Sequence, residues 1–142
     1  MIRSAQAAPF RFRLDLRSGV PVYRQIIDQV LVAMASGALG PGAQLPTVRQ
    51  AAVELSINPN TVVRAYRELE IRGTLSTQQG TGTFITDKKV KRDEAERQRQ
   101  LAQLAGEFIA RAGGAGFTTQ ELLDQLREMV AEPERRRPWQ RQ

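Results

Sequence analysis

The chain has 142 residues, enough for one ordinary domain or for a small domain with a short appendage, and too few for two large ones. Lys and Arg total 21 against 15 Asp and Glu, a formal charge of +6, and the first 85 residues alone hold nine arginines against five carboxylates; polyanionic partners are therefore favoured, and the surplus is not confined to a tail. With no cysteine and no histidine, disulfide frameworks, zinc fingers and thiolate or imidazole catalysis are excluded, and with no apolar run near the roughly 18 residues of a membrane span and no signal-peptide pattern over residues 1–8, a cytoplasmic protein is expected.

Residues 1–9 have small, mixed side chains without periodicity and are expected to form a flexible leader. Phe10-Arg11-Phe12-Arg13-Leu14-Asp15-Leu16 alternates apolar and polar residues, which predicts a short extended segment lying against the domain. Ser18-Gly19-Val20-Pro21 turns the chain, and Pro21 opens a first helix with Val22, Tyr23, Ile26, Ile27, Val30, Leu31 and Met34 in a broad apolar stripe. Residues 36–46 are rich in glycine and proline and predict a structured loop rather than another element. Thr47 and Gln50 have the spacing of a capping box, so a second helix starts there. Its apolar face is Val48, Ala51, Ala52 and Leu55, narrow enough for close helix packing, and Arg49 points elsewhere.

Only Ser56 and Ile57 separate that helix from Asn58, a good N-cap, and Pro59, which suits a first helical position because no N–H is needed there. A third helix must therefore turn sharply away from the second, as in a helix-turn-helix. Val62, Ala65, Tyr66 and Leu69 fall on its core side, and Asn60, Arg64, Arg67 and Ile71 on the other. By itself this is an ordinary amphipathic helix; the neighbouring elements make it a candidate reading head. Gly73 ends it, and Thr74 through Ile85 reads as two short strands around a glycine-bearing turn, a wing anchored by Leu75, Phe84 and Ile85. The missing side chains of Gly80 and Gly82 let the wing tip approach a phosphate or groove closely.

Charges dominate from Asp87 to Gln100, suiting a linker or a solvated helix start. Leu101, Leu104, Ala105, Phe108, Ile109 and Ala112 then recur at helical spacing until residues 113–116 break the helix. Thr118 and Glu121 form a second capping box, with Phe117 and Leu122 as its hydrophobic staple. Leu122, Leu123, Leu126, Met129 and Val130 continue the last helix to Pro133. Two such helices bury little alone, so their stripes need the first domain or a second copy of the chain, and the second copy is preferred. The expected contact residues are Leu101, Leu104, Phe108, Leu122, Leu126 and Met129. The basic end, residues 132–142, is expected to be disordered.

The fold class expected is therefore mainly α with a small β-hairpin wing: a winged helix-turn-helix over 10–86, then a linker and two-helix dimerisation region over 87–131. With these residues in view, the chain resembles bacterial transcription regulators of the GntR family, most nearly the short YtrA-type branch. Pro21 to Ile26 resembles the opening of the family's first helix, Gly42 to Arg49 its approach to the second, Asn58 to Glu70 its recognition helix, and Gly80 to Phe84 its wing. The resemblance covers residues 10 to 85, and a two-helix tail of this length serves dimer formation in that branch. Larger effector-binding or aminotransferase-like domains have no room here.

The resemblance implies DNA contacts on Arg49, on the first turn of the third helix (Asn58, Asn60, Thr61) and on the wing tip (Gly80, Thr81). The chemistry agrees: Arg49 can fork onto phosphate or onto guanine O6 and N7, Asn60 can pair with adenine or phosphate, Thr61 can donate to phosphate, and Gly80 lets backbone or Thr81 reach the minor groove. Other branches often carry arginine where this chain has Pro59 and Val63, so their base contacts do not transfer. Arg64 and Arg67 are helix-surface charges first, with phosphate contact as the open alternative. The partners expected are double-stranded DNA and a second copy of the chain; no metal, cofactor or membrane is expected, and a small-molecule effector is not predicted although a dimer interface could create a site for one. A winged-helix protein-interaction module is the competing class. An enzyme is disfavoured, since no paired-carboxylate or phosphate-loop constellation occurs and Gly80-Thr81-Gly82 lacks the strand, helix and acidic partner of a dinucleotide site.

Overall fold

The computed structural model describes residues 10–87 and 93–131, which form two units. The leader over 1–9, the linker residues 88–92 and the tail over 132–142 lie outside the described residues. The first unit holds α1 (Val22–Ala35), β1 (Gln44–Leu45), α2 (Val48–Leu55), α3 (Pro59–Ile71), β2 (Leu75–Gln78) and β3 (Gly82–Ile85). Its strands make one antiparallel sheet in the order β1-β3-β2, with Leu75 opposite Ile85, Gln78 opposite Gly82, and Gln44 opposite Phe84.

The core gathers one stripe from each helix: Ile26, Ile27 and Val30 from α1, Ala51 and Ala52 from α2, and Val62, Ala65, Tyr66 and Leu69 from α3. Leu45, Leu75 and Ile85 close it from the sheet. All four α3 residues expected on the core side are buried. The segment from Phe10 packs on this core, with Phe12 buried, its ring edge-on to Phe10 at 5.0 Å and 6.3 Å from Tyr66. Although extended, it joins no sheet. Its backbone is satisfied by two buried α1 glutamines whose amides imitate a neighbouring strand. The Arg13 N–H donates to Gln29 Oε1 at 2.9 Å and Gln29 Nε2 donates back to the Arg13 carbonyl. Gln25 does the same for Asp15, at 2.9 Å in each direction.

Three expectations are corrected here. The loop over 36–46 is not free of secondary structure, because Gln44 and Leu45 form β1. The edge of β3 presents unpaired backbone groups, and this loop covers them: Gly42 N–H donates to the Ile85 carbonyl at 2.8 Å and Ile85 N–H to the Ala43 carbonyl at 2.9 Å. Two residues are too few to show an alternating pattern. Phe84 is not a core anchor of the wing; it is half-exposed, and Thr83 is buried in its place beside Ile85. Side chains alternate along a strand, so Thr83 and Ile85 share the inner face and Phe84 takes the outer one. Pro21, finally, is the N-cap of α1 rather than a residue of its first turn.

The second unit is α4 (Glu94–Gly114) and α5 (Thr119–Ala131). Asp93 caps α4 by accepting from Glu96 N–H at 2.7 Å. The glycine run breaks this helix later than expected, since only Gly116, at φ +89°, leaves the right-handed region. Thr118 and Glu121 form the capping box of α5, Glu121 N–H donating to Thr118 Oγ1 at 3.1 Å and Thr118 N–H to Glu121 Oε2 at 2.7 Å. Neither helix buries a residue. Leu101, Leu104 and Phe108 are 58%, 61% and 58% exposed, Leu126 is exposed, and Leu122 and Met129 are half-buried.

Candidate nucleic-acid interface

The turn into α3 is built from local bonds. Thr47 and Gln50 close the capping box of α2 in both directions, at 3.1 and 3.0 Å. At the other end of α2, Ser56 adopts a left-handed backbone at φ 54°, and Ile57 N–H donates to the Ala52 carbonyl at 3.1 Å. This conformation is uncommon outside glycine and reverses the chain within two residues. Asn58 then caps α3, its Oδ1 accepting from Asn60 N–H at 2.8 Å, with Pro59 at the first helical position. The Tyr66 hydroxyl donates to the Pro46 carbonyl at 2.6 Å, tying α3 to the residue just before the α2 cap. Burial pushes the Tyr66 phenol well above its ordinary pKa, because the phenolate would lose its hydration. It stays a neutral donor through the physiological range.

On this frame Arg49 stands exposed on α2, and Asn60, Arg64 and Arg67 stand exposed on α3, while Thr61 is half-buried. Among the described residues the ion pairs are Arg72 with Glu68, Arg99 with Glu96 and Arg127 with Asp124; Arg49, Arg64 and Arg67 take part in none. No acidic residue occurs in the first turn of α2 or of α3. The helix pair therefore presents arginines that are in no ion pair among the described residues. Arg64 lies with its guanidinium carbon 3.7 Å from the centre of the Tyr23 ring on α1, a contact not expected from the sequence. Asn58 spends its side-chain oxygen on the helix cap, so of the expected contact residues it has the most local role.

The wing tip is held by ties of its own. Gly80 takes the left-handed region at φ 77° with open space beside it, and Thr81 N–H donates to the Gln78 carbonyl at 3.0 Å. Gln44 Nε2 donates to the Thr81 carbonyl at 3.3 Å and lies so near Gly82 that a Cβ there would meet it at 2.6 Å. One strand pair below the tip, the Thr77 hydroxyl donates to Glu70 on α3 and lies 3.4 Å from the Thr83 hydroxyl. Gln44, Glu70 and Thr77 thus join wing, loop and α3. Sequence reasoning missed them because a glutamine in a loop, a glutamate on a helix and a threonine in a strand carry no signal until the sheet brings them together. Tyr23 carries a signal, an aromatic in the α1 stripe, but that signal points to the core alone.

The expected self-association residues belong to α4 and α5, in the second unit. An open groove there is lined by Ala112, Phe117, Glu121, Leu122, Asp124, Gln125 and Glu128. Among the described residues no cluster of side chains could hold a metal ion, and no helix is long and apolar enough to cross a membrane.

Comparison with known proteins agrees with this geometry. Residues 22–85 match the family model for bacterial regulatory proteins of the gntR family. An uncharacterized HTH-type transcriptional regulator, YhcF of Bacillus subtilis, is 36% identical over 80% of this chain and 93% of its own. The transcriptional repressor YtrA of the same organism is 33% identical over 84% of this chain and 92% of its own. Among solved structures, a transcriptional antiterminator from Listeria monocytogenes superposes with a TM-score of 0.64 at 27% identity, covering 85% of this chain and 90% of its own. YtrA from Sulfolobus acidocaldarius, a GntR-family transcription factor, gives 0.50 at 31% identity, covering 85% and 97%. The helix pair with its capped third helix, the three-stranded wing and the near full-length similarity to short regulators place this chain in the GntR family, as a winged helix-turn-helix transcription regulator of the YtrA type.

Proposed function

We propose that the protein is a cytoplasmic, sequence-specific DNA-binding repressor that acts as a homodimer on an inverted-repeat operator. The observation that carries this reading is the helix pair, where Arg49, Asn60, Arg64 and Arg67 are exposed on a sharply capped frame and the arginines take part in no ion pair among the described residues. In this reading α3 enters the major groove, Asn60 and Thr61 meet base edges and phosphates, Arg49 meets a guanine or a phosphate, and Gly80 and Thr81 bring the wing to the adjacent minor groove. Asn58 acts by fixing the helix start. The exposed stripes of Leu101, Leu104 and Phe108 on α4, with Leu122, Leu126 and Met129 on α5, are covered by the same stripes of a second copy, which gives the dimer its two-fold axis. The domain limits proposed are 10–86 for DNA reading and 87–131 for linker and dimer formation. No effector, cofactor or enzymatic activity is proposed.

Selection of bound duplexes from a random-sequence pool by the full chain, followed by footprinting, tests this reading. The expected product is an inverted repeat whose half-site centres lie one helical turn apart, about 10–10.5 base pairs, or a multiple of it. A footprint on one unrepeated half-site by a monomer contradicts it.

A further inference from the structure

We infer that Tyr23 is a positioning residue for DNA binding, which holds the Arg64 guanidinium flat as a clamp for a backbone phosphate. This rests on the DNA-binding reading above and adds a residue on α1 to the interface. The Arg64 guanidinium carbon lies 3.7 Å from the Tyr23 ring centroid, inside the range in which a cation is held by the ring's negative face. Tyr23 is half-buried at the start of α1, an element packed on α3, so the ring is a fixed platform while Arg64 itself is exposed. A stacked guanidinium keeps its N–H donors at its rim, in the plane, where a phosphate oxygen can accept two of them.

Among the described residues the Arg64 charge takes part in no ion pair. Glu68, one turn further along α3, pairs with Arg72 instead at 3.9 Å, and the first turns of α1 and α3 carry no acidic side chain. A long cation held in one place by an aromatic face, without a carboxylate, fits an external anion. Phosphate is the chemistry favoured over a base edge, because the stack fixes Arg64 beside α1, on the seam between two helices rather than at the capped tip of α3 where Asn60 and Thr61 lie. Held on this platform, Arg64 loses less side-chain freedom on binding than a free arginine would.

The test measures equilibrium binding of the full chain between 50 and 200 mM salt. One probe is the duplex it recovers from a random pool, and the other is a scrambled duplex of equal length. Arg64→Ala is expected to weaken both duplexes by a similar factor, about ten-fold or more, and to flatten the slope of log K against log salt by about 0.9 per bound protomer. Tyr23→Leu should weaken both about two- to five-fold, Tyr23→Phe should bind like the unaltered chain, and Tyr23→Leu should add nothing once Arg64 is alanine. Arg64→Lys, at an exposed position that leaves α1 untouched, should keep the slope and lose affinity, because an ammonium does not stack flat. The inference is overturned by additive Tyr23 and Arg64 effects, by a Tyr23→Phe loss equal to that of leucine, by full affinity in Arg64→Lys, or by an Arg64→Ala loss confined to one base pair. If the unaltered chain recovers no preferred duplex and shows a flat salt response, the DNA-binding reading itself fails and the clamp falls with it.

Discussion

Tyr66→Phe removes one hydroxyl and nothing else, and its cost should shrink at alkaline pH. In the native chain the Tyr66 hydroxyl donates to the Pro46 carbonyl at 2.6 Å from a side chain only 2% exposed. Deleting the donor costs about 0.5–1.5 kcal/mol for the bond, with a further contribution from the carbonyl left without its partner. For a unit of this size about 1–1.5 kcal/mol lowers Tm by roughly 5–10 °C. The alkaline limb then has the opposite sign. Burial raises the folded-state pKa of Tyr66 above its unfolded value of about 10, so the neutral phenol's contribution is fully present below that pH. Above it the unfolded chain releases the proton first, and native stability falls by up to about 1.4 kcal/mol per pH unit. The phenylalanine variant lacks this loss. Urea titrations at pH 7, 9, 10 and 11 should show the unaltered chain ahead at neutral pH, with the gap closing above pH 10. A gap constant across that range would refute the assignment of Tyr66 as a buried neutral donor.

Gly82→Ala should destabilise the wing by about 1–3 kcal/mol, because φ +134° is strained for alanine and its Cβ would meet Gln44 Nε2 at 2.6 Å; thermal unfolding measures this, and an unchanged Tm counts against the wing geometry. Gln29→Leu should cost about 1–3 kcal/mol by stranding the backbone donor and acceptor of Arg13, and should speed amide exchange at Arg13 most of all. Phe108→Glu places a charge in the exposed α4 stripe, and in the proposed dimer it should halve the sedimenting mass while leaving the melting of the winged unit in place. An unchanged mass would move the dimer contact elsewhere.

The helices were legible because their signals are local. The Thr47–Gln50 and Thr118–Glu121 capping boxes and the Asn58-Pro59 start lie within four residues of sequence, and each is made in the structure. The burial of Val62, Ala65, Tyr66 and Leu69 followed from helical spacing alone. The parts that escaped are non-local. β1 exists only because β3 offers it an edge, and the inward turn of Thr83 over Phe84 follows from a register that the hairpin's loop sets. Gln25 and Gln29 lie outside the apolar stripe expected for α1, yet both are buried because a strand-like segment ten and sixteen residues earlier needs their amides. The Arg64 stack on Tyr23 joins residues that no sequence window holds together. At the interface, the order of elements was enough to find α3, but which side chains are held and which are free needed the packing.

The most direct test of the central claim is the salt dependence of binding, measured with the full chain on its selected duplex and on a scrambled duplex of equal length. A dimer that neutralises several phosphates and reads bases should prefer its own sequence by about 10³-fold or more, with log K falling by about 0.9 for each phosphate contacted as log salt rises. Equal, salt-insensitive binding to both duplexes would contradict the claim and favour a protein-interaction module whose basic surface is incidental.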